Sequence, residues 1–65
     1  ALRDQVRRVA AAMACLPAEP RAVLSLFAIQ GLSHAEIAEI LGVPDGTVWS
    51  RLHTARRLLV ERIGA

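Results

Sequence analysis

The side chains best suited to chemistry lie between Thr47 and Arg57, where short polar residues alternate with arginines. An α-helix advances by about 100° per residue. If Val48 faces inward, the other residues fall on an outer face and two flanks. The outer face carries Ser50, His53, Thr54 and Arg57. One flank carries Thr47 and Arg51, and the other carries Trp49 and Arg56. Short polar side chains can approach base edges closely, and arginines bind phosphates in planar, bidentate contacts. The pattern therefore predicts a helix that contacts double-stranded DNA.

The preceding residues predict a second helix and a tight turn that position this face. Ser33 and Glu36 have the S-x-x-E spacing of a capping box, which starts a helix, and Gly42 ends that helix. Val43-Pro44 then fixes the entry of the next helix, and Asp45 lies in its first turn, where the helix dipole favours a negative charge. Two helices joined in this way predict a helix-turn-helix, whose second helix enters the major groove. An amphipathic helix with a solvated basic face remains the alternative interpretation.

The remaining sequence predicts an all-α fold, because no run of β-branched or aromatic residues alternates with period two. Helices are expected at about residues 2–15, 18–30, 33–41 and 45–63, forming a small four-helix domain with a C-terminal helix-turn-helix and no wing. Gly31 is expected to stop the second helix in a left-handed conformation. The apolar stripes expected on the four helices are Leu2, Val6, Val9, Met13 and Leu16; Val23, Leu24, Phe27 and Ala28; Ile37, Ile40 and Leu41; and Val48, Leu52, Ala55, Leu59 and Ile63.

Composition restricts the class of protein. The chain of 65 residues fits one domain at most. Its net charge is +2, and all of its basic residues except histidine are arginines, because the sequence contains no lysine. Cys15, the single cysteine, cannot form an internal disulfide, which favours a reducing, cytoplasmic environment. Apolar residues make up 54% and aromatic residues 3%, which indicates either apolar surface left for a partner or simply alanine-rich helices. A helix that begins at residue 2 without a starting Met is expected of a domain cut from a longer protein.

Several kinds of site are not predicted. The sequence has no nucleophile–base pair, carboxylate dyad or phosphate-cradling loop, so we expect neither an enzyme nor a cofactor or small-molecule substrate. Cys15, His34 and His53 lack recognisable ligand spacing, so no metal site is expected. His34 is expected at the surface, within reach of a DNA backbone. No apolar run reaches the roughly 18 residues that a membrane span requires, so no membrane partner is expected.

Most of the chain resembles region 4 of bacterial sigma-70-family factors, the C-terminal domain, in their extracytoplasmic-function (ECF) group. The resemblance covers about residues 16–63. It is carried by Pro17 and Arg21–Leu24, by the stretch Gly31–Pro44, and most distinctively by Gly46-Thr47-Val48-x-Ser50-Arg51-Leu52-x-x-Ala55-Arg56. LuxR-type effector domains share the Ala-Glu-Ile-Ala and Thr-Val elements but usually lack the Ser-Arg-Leu-x-x-Ala-Arg continuation.

The resemblance implies a domain that reads the −35 promoter element within RNA polymerase, packs on the flap of the β subunit, and can be masked by an anti-sigma factor. The family's base-reading positions fall on Trp49, Ser50, His53 and Thr54, and Arg51 and Arg56 match its commonly basic positions. The family usually has a cation where Trp49 stands and often one where Thr54 stands. Loss of two cations would weaken phosphate attraction, and Trp49 is suited either to a sugar or thymine methyl or to a protein contact.

Two rival interpretations follow from the same residues. One is a LuxR-type transcriptional effector domain, which would dimerise and bind palindromic half-sites. The other is a protein-interaction module of the same fold, held by an anti-sigma factor or another regulator. Trp49, Thr54 and the high apolar content favour the second rival, whereas Arg51, Arg56 and Arg57 favour DNA.

Overall fold

The computed structural model describes residues 1–64 and contains four α-helices. They are α1 (Leu2–Ala14), α2 (Ala18–Ala28), α3 (His34–Leu41) and α4 (Asp45–Gly64). No strand occurs within these residues, so the all-α prediction is confirmed, and each predicted helix end lies within two residues of the observed one. No helix in the described part of the chain is both long enough and apolar enough to cross a lipid bilayer.

The signals that begin and end α3 form as predicted. The Glu36 N–H donates to Ser33 Oγ at 3.1 Å, and the Ser33 N–H donates to Glu36 Oε1 at 3.0 Å. The capping box therefore satisfies two amide protons that the first turn of a helix leaves without partners. Gly42 ends α3 in the left-handed region, with φ of +67°, and Val43 N–H bonds back to the Ala38 carbonyl at 3.0 Å. These bonds fix the sharp turn into α4.

The core lies where α4 packs against all three other helices. Its buried members come from each helix or from the adjoining turn: Ala12, Leu16, Val23, Leu24, Ile37, Ala38, Val48, Leu52 and Ala55. Val23, Ile37, Val48 and Ala55 have no exposed surface. Ala38 and Ala55 are both buried, and their small side chains permit close packing of the helices there.

Several residues on the predicted stripes are not buried. Ala28, Ile40 and Ile63 are exposed, and Leu59 is only half-buried. The stripe of α1 is continuous along the helix, but only its C-terminal end reaches the core, so Leu2 and Val6 remain largely in solvent. Helical periodicity identifies which residues share a face, whereas burial depends on how far the neighbouring helices extend over it.

Candidate nucleic-acid interface

Most of the side chains that the sequence predicts to contact DNA are exposed on α4, whereas Thr47 and Arg51 are half-buried. Ser50, His53 and Arg57 are exposed on its outer face, and Thr54 beside them is half-buried. The core residues Val48, Leu52 and Ala55 hold the other side of α4 against the domain. The helix therefore presents short polar side chains and cations together on one surface, which no other helix within residues 1–64 covers. A helix that enters the major groove requires such a surface.

A contiguous set of side chains, here called the aromatic stack, joins α2, α3 and α4. It comprises Phe27, His34, Trp49 and Arg56. The Trp49 and His34 rings lie parallel, with 4.1 Å between centroids and 7° between planes. His34 is tilted by 43° against Phe27 at 5.2 Å, and the Arg56 guanidinium carbon lies 5.4 Å from the Phe27 centroid. Stacked, tilted and cation–π contacts of this kind are favourable, and they link three helices beside the exposed face of α4.

The position of His34 differs from the prediction. Trp49 and Arg56 both belong to the aromatic stack, in agreement with their predicted common flank, but the predicted surface position of His34 is wrong. His34 is instead half-buried, and its Nε2 is enclosed without a hydrogen-bond partner. In the sequence, His34 is marked only by its position directly after the helix-capping Ser33, and this position does not predict that its ring stacks on a residue of α4.

The arginines of α4 differ in how much of their charge is free for a phosphate. Arg51 forms an ion pair with Glu19 of α2 at 3.5 Å, and only 25% of its side chain is exposed. Arg57 pairs with Glu61 one turn along α4 at 3.3 Å, with both side chains largely exposed. Arg56 makes no ion pair within residues 1–64 and lies over Phe27. Arg51 thus braces α4 against α2, whereas Arg56 retains an uncompensated charge.

Acidic groups at the starts of the helices also shape the local field. Hydrogen bonds from the Ser33 backbone and side chain lower the pKa of Glu36 from its ordinary value of 4.5. This carboxylate therefore remains charged at the N-terminus of α3, where the helix dipole favours it. Asp45 occupies the corresponding first turn of α4 and opposes phosphate binding by the amides there. Among residues 1–64, no three His, Cys, Asp or Glu side chains converge in a way that could hold a metal ion.

A second surface lies away from α4. An apolar groove, here called the α1–α2 groove, is formed by one face of α1 and the end of α2. Its lining residues are Leu2, Gln5, Val6, Val9, Ala10, Met13, Ala28 and Ile29. Gln5 alone among them is polar, and Leu2 and Ile29 are 76% and 68% exposed. An exposed apolar surface of this kind is typical of a protein-binding site.

Comparisons with known proteins give a consistent result. The family model described as "Sigma-70, region 4" matches residues 6–59. The chain is 51% identical over 49 residues to the ECF RNA polymerase sigma factor SigE of Mycolicibacterium smegmatis, covering 75% of this chain and 19% of that protein. It is 51% identical over 51 residues to the ECF RNA polymerase sigma factor SigL of Mycobacterium tuberculosis, covering 78% of this chain and 29% of that protein.

A third relative extends the similarity along the chain. The RNA polymerase sigma factor HrpL of Pseudomonas syringae pv. syringae is 42% identical over 59 residues, which cover 91% of this chain and 32% of that protein. The chain therefore spans less than a third of the length of these relatives. No solved structure gives a significant match.

Proposed function

Because this chain belongs to the sigma-70 region 4 family, in its ECF group, we propose that it reads the −35 promoter element as part of an RNA polymerase sigma factor. The observation that carries the proposal is the exposed face of α4, the helix that follows the turn at Gly42. Ser50, His53 and Arg57 are exposed on this face. In a helix-turn-helix, short polar residues on the second helix reach base edges, and cations at its margins bind phosphates. We propose that the chain binds this DNA element sequence-specifically, in the cytoplasm, during transcription initiation.

The proposed DNA-binding residues are those of the exposed face and its flanks: Thr47, Trp49, Ser50, Arg51, His53, Thr54, Arg56 and Arg57. Ser50 and His53 are the strongest candidates for base contact. Both are exposed, and neither side chain forms a hydrogen bond or ion pair within residues 1–64. Arg56 is the strongest candidate for phosphate contact, for the same reason. Arg51 has a smaller part in binding, since Glu19 already compensates its charge.

Selection from a randomised duplex pool tests this proposal. The chain is mixed with the pool at low and moderate salt, bound duplexes are recovered and sequenced, and the emission of Trp49, the only Trp, is followed in parallel. We expect enrichment of one short asymmetric motif, with salt-dependent affinity. Enrichment of a palindrome by a dimer would support a LuxR-type effector instead. Binding without enrichment, or no binding at low salt, would contradict promoter reading.

The α1–α2 groove favours a second, compatible function in protein binding. We propose that an apolar helix of RNA polymerase, at the β-subunit flap, or of an anti-sigma factor packs against Val6 and Val9. Both residues are exposed, and no residue of α4 lines the groove, so a partner there leaves the outer face of α4 accessible.

Val6→Glu tests protein binding separately from DNA binding. A charge in the groove should weaken binding of a flap or anti-sigma fragment by tenfold or more and leave the affinity for the selected duplex within about twofold. Val60→Glu, at an exposed valine of α4 outside the groove, is the matched control for the added charge. Unchanged fragment binding by Val6→Glu would contradict a role for the groove.

A further inference from the structure

We propose that Trp49, held flat against His34, reads the 5-methyl group of a thymine in the bound duplex. Trp49 is then a specificity-determining residue, and His34 is a positioning residue that acts through it. This inference rests on the proposed DNA-reading function and assigns it a chemical preference at one base pair.

His34 stacks on one face of the Trp49 ring. His34 covers one face of the indole at 4.1 Å in a nearly parallel stack, so that face cannot stack on a nucleobase. Trp49 is nonetheless 58% exposed, so the part of its surface that His34 does not cover is accessible to a ligand. A ring in this state offers a fixed apolar surface to whatever lies against α4.

Trp49 lies near the N-terminus of α4. It is the fifth residue of α4, close to the end that approaches base edges in a helix-turn-helix. The thymine methyl is the apolar feature of the major groove, and side chains recognise it by apolar contact. An uncharged ring gains little from a phosphate, for which Arg56 and Arg57 are available on the same helix. A thymine methyl is therefore the duplex feature that best matches Trp49.

The aromatic stack explains why such a contact can be selective. Phe27, His34 and Trp49 come from three different helices, and their stacking restricts the indole before any ligand binds. A restricted side chain loses less conformational entropy on binding than a free one. A restricted indole also cannot shift to restore contact with a base pair that lacks the methyl group. Loss of His34 should therefore reduce discrimination even though His34 need not touch DNA.

The alternative is that Trp49 anchors a protein partner, and the surroundings argue against it. The apolar groove suited to a protein is lined by α1 and the end of α2, and no residue of α4 lines it. Trp49 is instead adjacent to Ser50 and on the same flank as Arg56, whose charge is not compensated by an ion pair within residues 1–64. Polar and cationic neighbours favour DNA.

Deoxyuridine substitution tests the contact, because it removes only the methyl group and keeps base pairing. Each thymine of the duplex selected by this chain is replaced in turn, and affinity is measured by fluorescence anisotropy of labelled DNA. We expect about a fourfold loss at one position, which corresponds to burial of one methyl group. Trp49→Ala should bind thymine and deoxyuridine duplexes equally, whereas Val60→Ala, at another exposed apolar residue of α4, should keep the full discrimination.

Variants of His34 test its positioning role. His34→Ala should reduce the discrimination to less than twofold, and His34→Phe, which preserves an aromatic ring against Trp49, should restore it. Circular dichroism verifies that each variant is folded, and the emission of Trp49 reports the lost or restored stack. Equal discrimination by His34→Ala and the original chain would overturn the role of His34.

The outcomes for the two proposals remain distinct. If a motif is selected but no deoxyuridine position weakens binding, or if discrimination persists in Trp49→Ala, the methyl contact is overturned while promoter reading stands. If Trp49→Ala binds the duplex normally but loses a flap or anti-sigma fragment, the protein-anchor alternative replaces this inference. If no motif is selected at all, the proposed function itself fails.

Discussion

At the residue scale, Glu36 couples the capping box to pH. Its pKa is lowered by the hydrogen bonds from Ser33, so the folded state binds this proton less tightly than the unfolded chain does. The stabilisation is therefore present above the ordinary value of 4.5 and is lost as pH falls through the lower value of the folded state.

Glu36→Gln should remove this pH dependence. Compared with the original chain, the variant should be less stable at neutral pH, and the difference should shrink as the pH falls below 4.5. Urea unfolding followed by circular dichroism at several pH values measures it. Glu39→Gln is the matched control, because Glu39 is exposed on the same helix and makes no side-chain hydrogen bond or ion pair within residues 1–64. A constant difference at all pH values would contradict the assignment.

The arginines of α4 should differ in their contribution to DNA binding. Arg56→Ala should lower the slope of log affinity against log salt by about 0.9, the value for one lost phosphate contact. Arg51→Ala should lower it less, because Glu19 already compensates the charge of Arg51 in the free domain. Anisotropy titrations over a range of salt concentrations measure both slopes. Equal slopes for the two variants would show that the Glu19 pair opens on binding.

At the element scale, the turn between α3 and α4 depends on the backbone of Gly42. Its φ of +67° lies in the left-handed region, where a side chain raises the conformational energy. Gly42→Ala should therefore destabilise the domain by about 1 kcal/mol, through the backbone alone, since an added Cβ would meet no atom within 4 Å.

Thermal unfolding measures the effect of Gly42→Ala. Gly46→Ala provides the matched control, because Gly46 lies within α4 without a positive φ and its Cβ would also meet open space. Alanine is the better helix former, so this control should be neutral or stabilising. A loss of stability in the control equal to that in Gly42→Ala would rule out the left-handed backbone as the cause.

Across the whole molecule, the first turns of α1 contribute to the groove but not to the core. Residues 1–11 are exposed, whereas Ala12 is buried, Met13 packs against the core, and Leu16 is buried in the turn after α1. Deletion of residues 1–7 should consequently lower the free energy of unfolding by no more than about 1 kcal/mol. It should also abolish binding of a flap or anti-sigma fragment, because Leu2 and Val6 line the α1–α2 groove.

Chemical unfolding and fragment pull-down measure the two effects of this deletion. Loss of cooperative unfolding would show that the start of α1 is needed for the fold. Val6→Glu in the undeleted chain separates loss of the groove from loss of helix length. Since the deletion also removes Arg3 and Arg7, DNA affinity is compared at moderate salt, where distant charges are screened.

Features that depend only on neighbouring residues can be predicted from the sequence. The Ser33–Glu36 capping box, the glycine stop at Gly42 and the outer face of α4 all arise within a few positions, so local chemistry and helical period suffice to predict them. Which apolar residues are covered depends instead on how the helices pack: Ile37 is buried and Ile40, three positions later, is 60% exposed. The stack of His34 on Trp49 and the pairing of Arg51 with Glu19 also depend on this packing. These contacts join separate helices, and their distances depend on how the helices cross, which no short stretch of sequence specifies.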